Sequence, residues 1–392
     1  MRHFSRRSVR AAVAKGTAAA LAAVVCAAGC TSGGSGEPEG ETTSPRPSGS
    51  APGGTGSPTA PPDEGRVQVR ETVTEDLESP WGLAPLAGGD LLVSSRDTGD
   101  IVRVDTGNGE QTEVGSVPGT DPGGEGGLLG IALPPDDDRT LYAYVTTASD
   151  NRVVRMRYDP DEQPGDQLSA PDTVFKGIPK GTIHNGGRIA FGPDRMLYVG
   201  TGETGDRGLS QDDDSPAGKI LRMTPDGEPP GHGNPDPDSV VYSKGHRNVQ
   251  GLAWDAEERL WASEFGQDTW DELNLVKPGG NYGWPEVEGK AGREGFTDPV
   301  AQWRPAEASP SGIATAKGSV WMAALRGERL WRVPLRGTEL SAEPQAFLEE
   351  RYGRLRTVVS AGPGEVWLVT SETDTRGTPE SGDDRILRLT VR

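Results

Sequence analysis

The chain has 392 residues, room for two ordinary domains, and its 59 acidic residues outweigh 40 basic ones to leave a formal charge of −19. Such a balance excludes the electrostatic footprint of a nucleic-acid binder. Both cysteines, Cys26 and Cys30, precede everything that reads as a folded domain, so that domain has no disulfide framework and must be stabilised by packing or bound metal.

In chain order, Arg2, His3, Arg6, Arg7, Arg10 and Lys15 precede an apolar stretch from Thr17 to Cys26, followed by small residues up to Gly29. This reads as an export signal over residues 1–29, too short and Ala-rich for a membrane span of about 20 apolar residues. Ala27-Ala28-Gly29-Cys30 resembles a bacterial lipoprotein cleavage box, with Ala27 where leucine is usual. The resemblance implies a lipidated Cys30 as the first mature residue, holding the protein outside the cytoplasm on the cell membrane; an ordinary secretory signal is the alternative. From Thr31 to Asp63 the chain is Gly, Ser, Pro, Thr and Glu with almost nothing apolar, too little to offset its ordering entropy, so residues 30–65 read as a disordered tether.

Residues 66–392 repeat one unit six times: a Gly-apolar-Ala-like strand, a Pro/Gly/Asp turn, an apolar strand often carrying Trp or Tyr, then a strand ending in Arg-apolar. The first strands begin near Trp81, Gly127, Gly187, Gly251, Ser311 and Thr357, and the second strands centre on Leu92, Tyr142, Tyr198, Trp261, Trp321 and Trp367. Units of this length, each a small antiparallel sheet unable to bury both faces alone, stack radially; the fold class predicted is all-β, a six-bladed β-propeller of four-stranded antiparallel blades. The Val67, Val69, Thr72, Val73 segment precedes the first unit and is expected to supply an outer strand to the last, closing the ring.

In such a ring the start of each inner strand and the end of each second strand share one rim, because the two are antiparallel. Reading those positions gives Glu125, His184, Arg247-Asn248, Arg354 and Arg356 before inner strands, and Glu203, Gly266-Gln267 and Arg326 after second strands. Four arginines and a histidine at one mouth suit bidentate recognition of carboxylates or phosphates, so the expected ligand is a small polyanion. Of the four histidines, His3 lies in the signal, His232 in a Gly/Pro/Asp loop and His246 beside Arg247, which leaves His184 as the best general base for taking a proton from a hydroxyl during hydride removal.

At these residues the sequence resembles the soluble glucose/aldose sugar dehydrogenase family, whose members use pyrroloquinoline quinone (PQQ) and calcium. The resemblance is carried by Gly124-Glu125-Gly126-Gly127-Leu128-Leu129-Gly130, His184-Asn185-Gly186-Gly187-Arg188, Gly245-His246-Arg247-Asn248, Asp271-Glu272-Leu273-Asn274 and Gly279-Gly280-Asn281-Tyr282-Gly283-Trp284-Pro285. It implies His184 as the base on the anomeric hydroxyl, Arg247 as the group polarising the developing oxyanion, and Arg247 with Asn248 on the quinone side. Arg326, Arg354 and Arg356 would bind the PQQ carboxylates, with Glu203 also assigned to the cofactor. Calcium would take the backbone oxygens of Gly266 and Gln267, where the family often has proline at the second position, and Glu272 and Tyr282 match a further structural calcium of some relatives. Glu125 stands near the base and sugar where glutamine is common, and would either favour the imidazolium of His184 or orient the ring.

The reading is therefore an extracytoplasmic PQQ-dependent dehydrogenase that oxidises aldoses, or hydrated aldehydes, and passes electrons to an external acceptor, with Trp270 and Trp303 as candidate sugar-stacking residues for which packing is the alternative role. The alternatives are a noncatalytic carbohydrate- or protein-binding propeller, since one architecture serves many functions, and a metal-dependent lactonase, which the arginine-rich axial positions disfavour.

Overall fold

The computed structural model describes residues 61–392. Alternation along the second strand of each repeat sends successive side chains to opposite neighbours, and this builds the ring. In the fifth repeat Val320 and Met322 pack toward the fourth, with Trp261 and Leu273, while Trp321 and Ala323 pack toward the sixth, with Val358 and Leu368. The same division recurs all round, so the buried apolar residues fall into clusters that each bridge two adjacent blades.

The inner strands are Pro80–Pro85, Leu128–Ala132, Ile189–Phe191, Val249–Trp254, Pro310–Ala316 and Leu355–Gly362, each starting an antiparallel sheet whose strands follow in chain order outward. The six repeats expected from the sequence are thus six blades. Val67–Thr74 pairs antiparallel with Ile386–Val391, Val67 opposite Val391 and Val69 opposite Leu389, and so becomes the outer strand of the last blade, as its alternation predicts. Blade five departs from four strands: Arg329–Arg336 is long enough to pair with Gln345–Phe347 near its start and with Glu339–Leu340 at its end.

Just before the closing strand, the guanidinium of Arg332 donates to the carbonyls of Pro62 and Asp63, and Gln345 accepts from the Gly65 N–H. The chain is thereby docked onto blade five ahead of Val67. The export signal, the lipidation position Cys30 and most of the tether lie outside the described residues.

Removing the chain through Thr74 strips the last blade of its outer strand and Arg332 of its carbonyl partners. A lower calorimetric unfolding midpoint is expected, with accelerated amide exchange confined first to Ile386–Val391; an unchanged midpoint would show that the ring closes without this strand.

Candidate functional site

The starts of the inner strands and the ends of the second strands converge on a cavity of about 470 Å3 at one mouth of the ring. Its wall carries Glu125, His184, Arg247, Asn248, Gly266, Gln267, Arg326, Arg354 and Arg356, so nearly all the residues assigned from the sequence meet in one place. Arg96, Asp374 and Arg376 join them, and Trp81 and Gln250 lie on the wall toward the channel. The Trp81 ring has Arg188 over it at 4.3 Å and Arg356 at 5.8 Å.

His184 is held from three sides. Its backbone sits in the left-handed region at φ 54°, sparsely populated for a residue with a Cβ, and its N–H donates to Glu125 Oε2 at 2.7 Å. A Cβ on Gly202 would collide with the His184 carbonyl, so only glycine permits this approach. Its ring Nδ1 lies 2.5 Å from Oε1 of Glu203, a carboxylate only 1 % exposed. A proton on Nδ1 donated to that carboxylate leaves Nε2 as the basic nitrogen, and Nε2 has no protein partner among the described residues.

Two assignments change. Glu203 is not on the cavity wall; its carboxylate is the partner of the His184 imidazole, because its own N–H is tied to the Arg247 carbonyl at 2.9 Å and the next N–H, of Thr204, to the His184 carbonyl at 3.2 Å. Glu125 does not meet the imidazole but holds the His184 main chain with one oxygen and pairs with Arg376 at 2.7 Å through the other. Orientation of the ring therefore falls to Glu203. Asn248 is on the wall, but its Oδ1 accepts the Gly186 N–H and so helps to hold the loop after His184.

The cations are arranged unequally. Arg354 and Arg356 share Oδ2 of Asp374, each at 2.8 Å, and burial lowers the Arg356 pKa to about 10 despite that carboxylate. Arg247 also has its pKa lowered by burial; its side chain makes one hydrogen bond, at 3.3 Å to the Phe265 carbonyl, and its buried Nε has no partner. Arg354 Nε is likewise buried and unpartnered, and Arg326 makes no ion pair among the described residues. Six arginines thus face three carboxylates, Glu125, Asp271 and Asp374, and burial pushes Asp271 up to about 7. The surplus positive charge and the orphaned guanidinium N–H groups fit a small ligand with several carboxylates.

The segment from Gly266 to Trp270 closes one side of the cavity. Oε1 of Glu288 accepts the N–H groups of Gln267, Asp268, Thr269 and Trp270 at 2.8, 3.2, 2.9 and 3.0 Å, while Asp271 Oδ1 accepts that of Gly266 at 2.9 Å. Burial raises the Glu288 pKa, but these N–H groups outweigh it and leave the carboxyl below its ordinary value. In a trans peptide C=O points opposite to N–H, so the carbonyls of Gly266 and Gln267 turn away from Glu288. Gly266 and Gln267 line the cavity and Glu288 does not, which puts two carbonyl oxygens on the cavity side.

Glu272 and Tyr282 lie outside the cavity wall. Glu272 accepts from the Gly289 N–H and Asn274, and the Tyr282 hydroxyl donates to the Leu275 carbonyl. No group of three or more His, Cys, Asp or Glu side chains suited to a metal occurs among the described residues. Trp303 is packed between blades four and five, Trp270 has the Arg304 guanidinium over its ring at 4.1 Å, and neither lines the cavity.

Sequence reasoning missed Arg96, Asp374 and Arg376. A signal for the first two existed: Arg96 follows the second strand of blade one directly and Asp374 that of blade six by four residues, at the same rim position that singles out Gly266 and Arg326. That Arg376 reaches Glu125, 251 positions away, has no local signal.

With this fold and cavity, the chain is a dehydrogenase-type propeller: the profile of the glucose/sorbosone dehydrogenase family matches residues 77–380, and the chain belongs to that family. Among solved structures it is similar to the PQQ-bound aldose sugar dehydrogenase of Streptomyces coelicolor, with 70% identity and a TM-score of 0.84 over 85% of this chain and 100% of that one. Among curated proteins it is 28% identical to an aldose sugar dehydrogenase of Escherichia coli over 77% of this chain and 90% of that protein. It is 31% identical to quinoprotein glucose dehydrogenase B of Acinetobacter calcoaceticus over 58% of this chain and 54% of that protein.

Replacing Asp374 with Ala leaves two buried guanidiniums without their shared counter-ion. Denaturant unfolding is expected to show a loss of about 3–5 kcal/mol, partly recovered by a small polycarboxylate; an unchanged stability would mean that the arginines carry no electrostatic strain.

Proposed function

We propose that the protein is a PQQ- and calcium-dependent dehydrogenase that oxidises aldose sugars at the anomeric carbon and delivers the electrons to an external acceptor. The observation that carries this reading is the cluster of Arg247, Arg326, Arg354 and Arg356 around a histidine with a free Nε2, all on one cavity wall. A tricarboxylate quinone needs several fixed cations, and the unpartnered N–H groups of Arg247 and Arg354 are suited to its oxygens. The relationship to the PQQ-bound Streptomyces enzyme supports the same cofactor.

In this reading His184 Nε2 takes the proton of the anomeric hydroxyl as the C–H hydrogen leaves with its electron pair, converting the hemiacetal to a lactone. Glu203 holds the ring in the tautomer that leaves Nε2 basic and stabilises the imidazolium that forms. Arg247, desolvated and free of ion pairs, stabilises negative charge developing on the substrate oxygen. Arg326, Arg354 and Arg356 would hold the quinone by its carboxylates, and the carbonyls of Gly266 and Gln267 are suitable hard ligands for calcium. When bound, PQQ would supply the hydride acceptor and calcium a Lewis acid. The signal and tether lead us to the further reading that the enzyme works outside the cytoplasm on a lipid anchor at Cys30; Cys30→Ala is expected to move it from the membrane fraction to the medium, and retention on the membrane would refute that anchor.

Purified apoprotein is expected to reduce an artificial acceptor with an aldose panel only after both PQQ and calcium are supplied. Inactivity with the cofactor demonstrably bound would remove the sugar assignment. His184→Ala and Glu203→Gln are expected to lower kcat by about 10²–10⁴-fold with little change in PQQ affinity, since neither contributes a cation to the quinone site. Turnover retained in His184→Ala would exclude it as the base.

A further inference from the structure

The loop from Gly266 to Trp270 has no regular hydrogen-bonding partner strand at its turn, yet its successive N–H groups converge on a single carboxylate oxygen, Glu288 Oε1. Four successive donors can share one acceptor only if their peptide planes fan around it, which fixes the outward directions of the carbonyls on the same planes. The planes that give the N–H of Gln267 and of Asp268 carry the carbonyls of Gly266 and Gln267. Those two residues are the part of the loop on the cavity wall.

Glu288 reaches the loop from a separate turn, and that turn is itself anchored. The next residue, Gly289, adopts φ 77°, donates its N–H to Glu272 Oε1 at 2.7 Å, and has no room for a Cβ against the Trp270 ring. Glu288 is therefore held between a buried carboxylate behind it and the loop in front. Proline at position 267 would stiffen the loop by fixing φ, but would also delete one of the four donors. In this chain Gln267 supplies that donor, and an acceptor outside the loop takes over the stiffening.

We infer that Glu288 is a positioning residue for the metal: by gathering the N–H groups of residues 267–270 it presents the carbonyls of Gly266 and Gln267 to calcium as a preformed pair. It does not line the cavity and acts through the loop it organises, as outer-shell carboxylates do for metal ligands elsewhere. The inference rests on the calcium-dependent reading above, and its test separates the two.

Calcium is titrated calorimetrically into wild type, Glu288→Gln and Glu288→Ala, each saturated with PQQ, and amide exchange is followed over residues 266–270. Calcium affinity is expected to fall by about 10–100-fold in Glu288→Ala and by less in Glu288→Gln, which keeps a neutral acceptor. Exchange should rise over that segment alone, while PQQ affinity in calcium-free buffer and the unfolding midpoint of Glu288→Gln stay close to wild type. Excess calcium should restore kcat in both variants, which a general folding defect would not allow. Equal calcium affinity in all three proteins overturns the role of Glu288 and leaves the calcium reading standing. Failure of the wild type to bind calcium with PQQ bound overturns the calcium reading, and this inference with it.

Discussion

No blade of this ring can bury its apolar faces by itself; each second strand is buried on both sides, and only a neighbour on each side covers it. That constraint makes the structure a closed circle rather than a stack with ends, and it explains why the first strand of the described chain is spent on the last blade. Closure in turn gives the molecule two rims with different contents. Inner-strand starts and second-strand ends share one rim, so short irregular segments from all round the ring meet over a rigid floor, where loops carry function on a scaffold they need not stabilise.

The floor and wall of the cavity concentrate positive charge in a strongly acidic chain. Burying a guanidinium is unfavourable unless it is paired, and here the pairing is deliberately incomplete. Asp374 is divided between Arg354 and Arg356, Arg247 has only a long bond to a carbonyl, and the Arg247 and Arg354 Nε atoms have none. Such incomplete pairing suits an anionic ligand. Beside this cationic field His184 is treated in the opposite way: its backbone and its Nδ1 are both satisfied by carboxylates, which leaves one nitrogen free. In the proposed reaction this arrangement separates binding from proton transfer by charge within a single cavity.

The departures from expectation have physical causes that can be traced to particular residues. Strand geometry places Glu203 on the rim, yet a rim position does not say which way a side chain turns, and the close approach that glycine at 202 permits brings the His184 loop down onto this carboxylate. Glu125 precedes a strand in a glycine-rich turn, and its partner Arg376 comes from the other end of the chain. Trp303 illustrates the same limit: a tryptophan at a strand end reads identically whether it faces a sugar or the adjacent blade.

By itself the sequence determined the six repeats, the all-β class, the closing role of Val67–Thr74 and the set of residues that occupy one rim, because all of these follow from strand periodicity and antiparallel connection, which are local and repeat along the chain. Only the tertiary structure decided which carboxylate serves which cation, that Glu203 rather than Glu125 meets the imidazole, and that Glu288 gathers the loop at Gly266. Those pairings join segments whose separation in sequence carries no trace of their distance in space, and their energies depend on burial and direction that exist only once the ring has closed.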